Sequence, residues 1–257
     1  MGLGSLALDP VGTAAGQKHA EEMAAHRYLS HWDLDGKLPD QRYTEAGGKD
    51  HVQENVYFEY RYAAAQSQAV YSPDSMPTFS RAEIEAIEAA YFNERPPHDG
   101  HRQNILGPNH THVGIALAKA RSGDGSSTTA NTQEFIDRAV AADPIPKEAK
   151  VGDKIVVTGT ALRGYAVRAV LLSRDALPRG MDRDQLQKTS HYATPAPFAQ
   201  YTPGEPGRAL ATSSDGAFRA DVILSDDGRP GIYYVVVFLR SSEGRSVVGS
   251  QRTVVVR

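Results

Sequence analysis

Residues 100–117 read GHRQNILGPNHTHVGIAL, in which three histidines and an Asn-rich turn run directly into an apolar alternation. The alternation from Thr111 to Leu117 predicts a half-buried β-strand. The next stretch, SGDGSS (122–127), predicts a turn, and TTANTQEF (128–135) predicts a partner strand. Because imidazole titrates near neutral pH and is a common metal ligand, this crowding of histidines indicates either a site or a polar loop.

Composition limits the classes of function. The chain has 257 residues, which favours two domains, and a net charge of −3 without a Lys/Arg run. We therefore expect no nucleic-acid partner and no anionic membrane partner. The absence of cysteine excludes disulfides, thiolate nucleophiles and Cys-based metal sites, and no apolar run is long enough for a transmembrane segment.

Helical periodicity dominates the first half of the chain. The stretch AAGQKHAEEMAAHRYLSHW (14–32) predicts a helix whose buried stripe ends at His31, with Gly36 and Pro39 as stop signals. The stretch QRYTEAGGKDHVQ (41–53) predicts a polar loop, and ENVYFEYRYAAAQSQAVY (54–71) predicts a second helix through Val56, Tyr60, Ala63, Ala64 and Ser67.

A capping box predicts the start of a third helix. Ser80 stands at the N-cap position and Glu83 at N3. The apolar face continues through Ile84, Ile87 and Tyr91, and Pro96-Pro97 ends the helix. Glu94 is the next position on this stripe, so the sequence predicts a carboxylate on the inward line of the last turn.

The composition and the residue pattern of the sequence change after Gly152. Short β-rich runs separated by Gly, Asp and Ser turns predict a β-sandwich of about 100 residues. Gly231-Ile232-Tyr233, at the entry to a Val-rich strand, fits the tyrosine corner of immunoglobulin-like sandwiches. The stretch AVAADPIPKEAK (139–150) reads as a linker, and the proline-rich ATPAPFAQYTPGEPG (193–207) reads as a long exposed loop.

Four stretches of the first half resemble the bacterial branch of the CAP superfamily, which comprises cysteine-rich secretory, antigen-5-like and pathogenesis-related proteins. They are SHWDLDGKLPDQR (30–42), QENV (53–56), YFNE (91–94) and GHRQNILGPNHTHVGIAL (100–117). The resemblance implies an α+β chain. A three-layer α-β-α sandwich (residues 1–140) would be followed by a linker (141–151) and an all-β immunoglobulin-like sandwich (152–257).

The family's recurrent feature is a cleft with two histidines and two glutamates that sometimes holds zinc. Carried onto this sequence, the resemblance implies His31, Glu54, Glu94 and His101 as ligands of zinc or another divalent cation. The fourth position differs from eukaryotic members, in which a histidine stands two residues before a threonine, because Asn109 holds that place here. Asn109, His110 and His112 are therefore candidates either for bonding the ligand residues from behind or for replacing one of them, and His110 and His112 share one strand parity.

Each candidate also has an ordinary structural interpretation. His31 could bond a backbone carbonyl at a helix end, and Glu54 could satisfy amides in a first helical turn. Glu94 could bend outward to Arg95 or Arg102, and His101 could open a short turn capped by Asp99. The sequence leaves these alternatives open.

The resemblance implies a secreted or periplasmic binding module. Its ligand would be a divalent metal, a lipid or sterol, a cell-surface component or another protein. MGLGSLALDP (1–10) lacks the charged n-region and long apolar h-region of a signal peptide, so the expectation of secretion rests on the resemblance. The alternative is a metal-dependent peptidase or esterase in which Glu54 or Glu94 is catalytic, although the sequence has no HExxH or G-x-S-x-G motif.

Overall fold

The computed structural model describes residues 3–62, 78–122 and 125–257. In these residues the chain is α+β with three β-sheets. The elements of the first half, in chain order, are β1 (Ala7–Leu8), α1 (Pro10–His26), α2 (Pro39–Glu45), β2 (His51–Arg61), α3 (Arg81–Phe92), α4 (Gly100–Ile105), β3 (His112–Arg121) and β4 (Ser127–Asp137). Those of the second half are β5 (Val140–Ala142), β6 (Glu148–Ala149), β7 (Lys154–Ala161), β8 (Tyr165–Asp175), α5 (Arg183–Leu186), β9 (Ala199–Tyr201), β10 (Leu210–Thr212), β11 (Ala217–Ile223), β12 (Gly231–Ser241) and β13 (Ser246–Val256).

The first sheet has the strand order β1-β3-β4-β2 and carries helices on both faces. On one face, the Thr128 hydroxyl donates to the carbonyl of Ala24 in α1 at 2.6 Å. On the other face, the Tyr91 hydroxyl of α3 donates to Asn131 Oδ1 at 3.0 Å. Because Thr128 and Asn131 have opposite parity on β4, α1 and α3 enclose the sheet from opposite sides.

Glycines allow α1 to lie directly on this sheet. A Cβ atom at Gly114 of β3 would overlap the backbone of Gly12 and Thr13 in α1. Side chains from the helix and the sheet then share a buried cluster that includes Ala20, Met23 and Tyr28. The helix begins with Asp9 as N-cap, whose carboxylate accepts from the amide of Gly12 at 2.6 Å.

Two further sheets are formed by residues from Val140 onward, with the orders β10-β11-β7-β5 and β6-β13-β12-β8-β9. Their inward side chains share one core, in which Val157, Val170 and Val237 are fully buried. The Tyr233 hydroxyl donates to the carbonyl of Arg229 at 2.6 Å, a bond back to the backbone just upstream of the strand, as expected for a tyrosine corner.

The predicted strands of the histidine-rich stretch are confirmed. β3 and β4 pair antiparallel from His112↔Ile136 to Arg121↔Ser127. The Ser80 capping box is also confirmed, with both reciprocal hydrogen bonds present at the start of α3. This helix ends at Phe92, however, so Glu94 lies just beyond it and not in its last turn.

The predicted first helix is too long at its carboxyl end. α1 stops at His26 because Arg27 adopts a left-handed conformation (φ 60°) and donates its amide to the carbonyl of Met23. His31 therefore lies in the following loop, which excludes the helix-end interpretation. Pro39, predicted as a stop signal, instead opens the short helix α2, because a proline at the first helical position loses no helical hydrogen bond.

The predicted second helix over 54–71 is wrong where the structure describes it. Residues 51–61 form β2, which pairs antiparallel with β4 from His51↔Asp137 to Arg61↔Ser127. Ala63, Ala64 and Ser67 lie outside the described residues. Glu54 is therefore a strand residue and not a first-turn helix acid.

The segment between β8 and β9, residues 176–198, is here called the strap, and it lies against the first half. Leu186 of the strap is fully buried in the same cluster as Ala20 and Met23. The stretch 193–207, expected to be a long exposed loop, contains the end of the strap and the paired strand β9. β5 and β6 lie within or beside the predicted linker 141–151, each hydrogen-bonded to a sheet of the second half. None of the helices in the described residues is long and apolar enough to cross a membrane.

Candidate functional site

A cavity of about 700 Å³ opens where α2, the start of β2, α4, the strap and β13 meet. His31, Glu54, Glu94 and His101 all line this cavity. These four residues are distant in sequence, so their convergence is a property of the fold. The remaining lining residues are Asp40, His51, Val52, Gln53, Asn55, His98, Gly100, Gln103, Asn104, Tyr192, Ala193, Thr194 and Gln251.

The first pair of site residues is His31 and Glu54. His31 Nδ1 lies 2.9 Å from Glu54 Oε1, and the Glu54 side chain is fully buried. Arg42 binds the other oxygen, with Nη2 at 2.6 Å from Glu54 Oε2. Arg42 Nη1 also donates to the carbonyls of His31 and Lys37, each at 2.8 Å. Arg42 therefore holds the carboxylate and fixes the loop that carries His31.

These contacts set the protonation of the pair. Burial alone would raise the pKa of Glu54, but the attraction of Arg42, together with that of His19 and the hydrogen bond from His31, holds this pKa well below its usual range. An ionised Glu54 can only accept hydrogen bonds, so His31 Nδ1 carries the proton that it shares with Oε1. In the neutral imidazole, Nε2 of His31 then has its lone pair free.

The second pair is Glu94 and His101, which come from the loop after α3 and from α4. His101 Nδ1 lies 2.6 Å from Glu94 Oε1, and Oε2 accepts from the backbone amide of His101 at 3.0 Å. The amide of Arg102 contributes a longer bond at 3.4 Å. Glu94 thus turns toward the start of α4, and not outward to the side chains of Arg95 or Arg102. Asp99 is the N-cap of α4, but its side chain makes no capping bond.

The two pairs have the same chemical arrangement. In each pair the glutamate bonds Nδ1, and within the described parts of the chain neither Nε2 atom has a hydrogen-bond partner. A carboxylate behind the Nδ1 of a histidine fixes the ring and makes Nε2 a better electron-pair donor. The cavity therefore presents two oriented imidazole nitrogens, supported by two carboxylates.

Asn109, His110 and His112 do not line the cavity. His110 Nδ1 lies 2.6 Å from Asp137 Oδ1, and its Nε2 lies 3.2 Å from Asn104 Oδ1. The amide of Asn104 then donates to Asn55 at 3.0 Å, so His110 connects to the cavity wall through hydrogen bonds. His112 contacts Thr111 and Arg138, and Asn109 Oδ1 is buried without a partner among the described residues.

Another buried carboxyl lies beneath Glu54. Glu134 of β4 is directly opposite Glu54 in the strand register. Burial, reinforced by the negative charge of Glu54, raises the pKa of Glu134 well above its usual range. Glu54 is therefore ionised and Glu134 is protonated.

Sequence reasoning missed three residues of the site. Arg42 and Asp40 lie in the quoted stretch SHWDLDGKLPDQR (30–42), and a charged pair at the start of α2 was the available signal for them. Tyr192 comes from the strap, and no local pattern marks it. Its hydroxyl accepts from the amide of Glu54 at 3.3 Å, and its ring lies 4.9 Å from the His31 ring, edge to face.

Comparison with known proteins matches the first half of the chain to a family model. The model described as CAP, cysteine-rich secretory protein family, matches residues 1–135. No curated protein matches the chain. Among solved structures, one of murine CRIg is 14% identical, with 46% of this chain and 96% of that chain covered and a TM-score of 0.25. A likeness at that level carries no argument about the fold.

Proposed function

Since this chain belongs to the CAP, or cysteine-rich secretory protein, family, we propose that it is a secreted or periplasmic binding protein whose cavity binds a divalent cation. The proposed ligands are Nε2 of His31 and Nε2 of His101. Glu54 and Glu94 support these ligands from behind and do not bind the cation directly. Other coordination positions stay open for water or for an external ligand.

One observation carries this proposal: two histidines from separate segments line the same cavity, each with its Nδ1 held by a glutamate. This is the carboxylate–histidine arrangement found behind many zinc sites. The buried Glu54, paired with Arg42, has both oxygens occupied. Glu54 therefore has no free oxygen for a metal, and its role in the proposal is to hold His31.

The donor set fits an open two-histidine site better than a closed four-residue site. Within the described residues, no three His, Cys, Asp or Glu side chains lie close enough to form a ready metal cluster. The four ligands implied by the family resemblance are therefore divided in our proposal into two ligands and two supporting carboxylates. Imidazole suits zinc and other first-row metals, and two such ligands give moderate affinity.

Isothermal titration with Zn²⁺ tests this proposal. We expect binding by the wild type, loss of binding in His31→Ala and in His101→Ala, and weakening of about tenfold to a hundredfold in Glu54→Gln and Glu94→Gln. His191→Ala is the matched control, because this exposed histidine does not line the cavity. Equal binding by His31→Ala and the control would remove His31 from the proposed site.

The second half of the chain fits an immunoglobulin-like sandwich in this proposal. The support is the tyrosine-corner bond of Tyr233 and the two sheets that share one core. We propose that this half attaches the protein to, or presents it at, a cell surface or another macromolecule. A lipid ligand is disfavoured for the cavity, since Val52 and Ala193 are the apolar side chains among its described lining residues.

A hydrolase is the second candidate, and the exposure of Glu94 favours it. The Glu94 side chain is 22% exposed, whereas that of Glu54 is fully buried, so Glu94 is the carboxylate that could reach a water molecule. Incubation with peptide and ester libraries in the presence of Zn²⁺ would test it. Turnover lost in Glu94→Gln supports a hydrolase, and turnover unchanged in that variant excludes Glu94 as the base.

A further inference from the structure

The cavity has walls from both halves of the chain, and the strap brings the second wall into place. The amide of Met181 donates to the carbonyl of Leu34 at 2.8 Å, and the hydroxyls of Thr189 and Ser30 lie 2.7 Å apart. Between these contacts, Leu186 is fully buried among side chains of the first half. The strap is thus anchored by backbone, polar and apolar contacts before it reaches the cavity.

Beyond this anchor, the strap and β13 place polar side chains along the cavity. Tyr192 and Thr194 of the strap and Gln251 of β13 all line it. Gln251 Nε2 donates to Thr194 Oγ1 at 2.8 Å, and Asp40 of the first half lines the same cavity. Asp40, Tyr192, Thr194 and Gln251 are here called the strap subsite.

Asp40 leaves a hydrogen-bond acceptor unused in this subsite. Its residue is 2% exposed, it lines the cavity, and its Oδ1 has no partner among the residues that the structure describes. A buried polar atom without a partner costs free energy that a bound donor would recover. Asp40 is therefore the group of the subsite that most requires a ligand.

The charge and polarity of the lining select the class of ligand. Asp40, Glu54 and Glu94 are its carboxyl groups, and the described lining residues include no Lys or Arg, which disfavours an anionic ligand when no cation is bound. The amide side chains of Gln53, Gln103 and Gln251 also line the cavity, whereas those of Asn55 and Asn104 bond each other. Amides both donate and accept hydrogen bonds, and this matches hydroxyl groups, which also do both.

We propose that the strap subsite binds a neutral, hydroxyl-rich ligand of the carbohydrate class, with Asp40 and Thr194 contacting its hydroxyl groups. The cavity volume of about 700 Å³ is within the usual range for small-ligand sites. An extended peptide is disfavoured, because the Tyr192 hydroxyl already covers the amide of Glu54 on the outer edge of β2. The second half of the chain is then part of the binding site.

This inference rests on the proposed use of the cavity as a ligand site, and its test separates the two. The full chain is screened, with and without Zn²⁺, against neutral tetrasaccharides of glucose, mannose and N-acetylglucosamine, against a heparin tetrasaccharide, and against a peptide library. The neutral sugar that binds most tightly is then titrated calorimetrically at about pH 8, above the pKa of about 7 that burial gives Asp40.

Two variants and a matched control complete the experiment. Thr194→Val removes the hydroxyl of an exposed residue with little change of shape, and Asp40→Asn replaces one of the two carboxylate oxygens by an amide NH2, which cannot accept a hydrogen bond. We expect each to weaken sugar binding about tenfold, since each removes a hydrogen bond to the ligand. Thr212→Val, an exposed strand residue outside the cavity, should bind within about twofold of the wild type.

The outcomes are distinct. Zn²⁺ binding should persist in all three variants, because none alters His31 or His101. The inference is overturned if no neutral tetrasaccharide binds, if binding is confined to heparin or to peptides, or if both subsite variants bind like Thr212→Val. If the wild type does not bind Zn²⁺, the proposed metal site is wrong. The sugar titrations then still decide whether the strap subsite binds a carbohydrate.

Discussion

Asp40→Asn should make the protein more stable at alkaline pH, and the size of this effect follows from burial. Burial raises the pKa of Asp40 from 3.8 to about 7. Gln251 and Arg42 lower this pKa, but by less than burial raises it. Ionising this carboxyl is therefore harder in the folded state than in the unfolded state. The wild type loses stability as pH rises through this range, and the loss is complete above the folded pKa.

The size of this change in stability follows from the difference between the folded and unfolded pKa of Asp40. About three pKa units at about 1.4 kcal/mol per unit correspond to about 4 kcal/mol of free energy of unfolding. Asparagine at position 40 cannot ionise, so the variant escapes this loss. The difference in stability between Asp40→Asn and the wild type should grow in favour of the variant by about 4 kcal/mol between about pH 4 and pH 8.

Urea denaturation at a series of pH values measures this difference. Trp32 is the single tryptophan of the chain and its ring lies 6.3 Å from that of Tyr192, so its fluorescence reports unfolding at the site. Asp35→Asn is the control, because the Asp35 side chain is 76% exposed. A stability difference between Asp40→Asn and the wild type that stays constant across this pH range would mean that Asp40 has the same pKa in the folded and unfolded states.

Three further substitutions test the contacts that build the site. Leu186→Ala should lower the free energy of unfolding by about 2–5 kcal/mol in urea titrations, because it empties a fully buried position of the strap; an unchanged midpoint would mean that the strap is not docked. Arg42→Ala should cost about 3–5 kcal/mol by leaving the charge of Glu54 buried and unpaired, and Glu54→Gln in the same chain should recover part of this loss; identical losses in the single and double variants would count against the ion pair. Gly114→Ala should lower the melting temperature by an amount equivalent to about 1–3 kcal/mol, since its Cβ would overlap the backbone of α1, whereas Gly4→Ala has open space and should leave it unchanged; equal melting temperatures for both variants would contradict this packing.

The fold could be predicted where burial and hydrophobicity coincide. β3 alternates apolar and small residues as a half-buried strand does, and the capping box of α3 is a local signal. β2 could not be recognised, because its inward positions include Glu54, whose buried charge is compensated by Arg42. A charged residue at an inward position breaks the apolar alternation that identifies a strand.

The residues of the candidate site were likewise only partly predictable from the sequence. The family resemblance implies His31, Glu54, Glu94 and His101, which line one cavity although no local pattern relates them. The strap residue Tyr192 could not be reached in that way, since it comes from the second half and depends on how the two halves pack. Contacts between distant segments depend on how the folded surfaces fit together. They leave no periodic pattern in the sequence.

A crystal structure of the protein soaked in Zn²⁺, with anomalous diffraction measured at the zinc edge, would show whether the two histidines bind the cation. We expect one strong anomalous peak in the cavity at about 2.0–2.1 Å from both His31 Nε2 and His101 Nε2, with Glu54 and Glu94 still on the Nδ1 atoms. A peak bound by the carboxylates without the histidines, or zinc bound solely elsewhere on the chain, would contradict the proposed site.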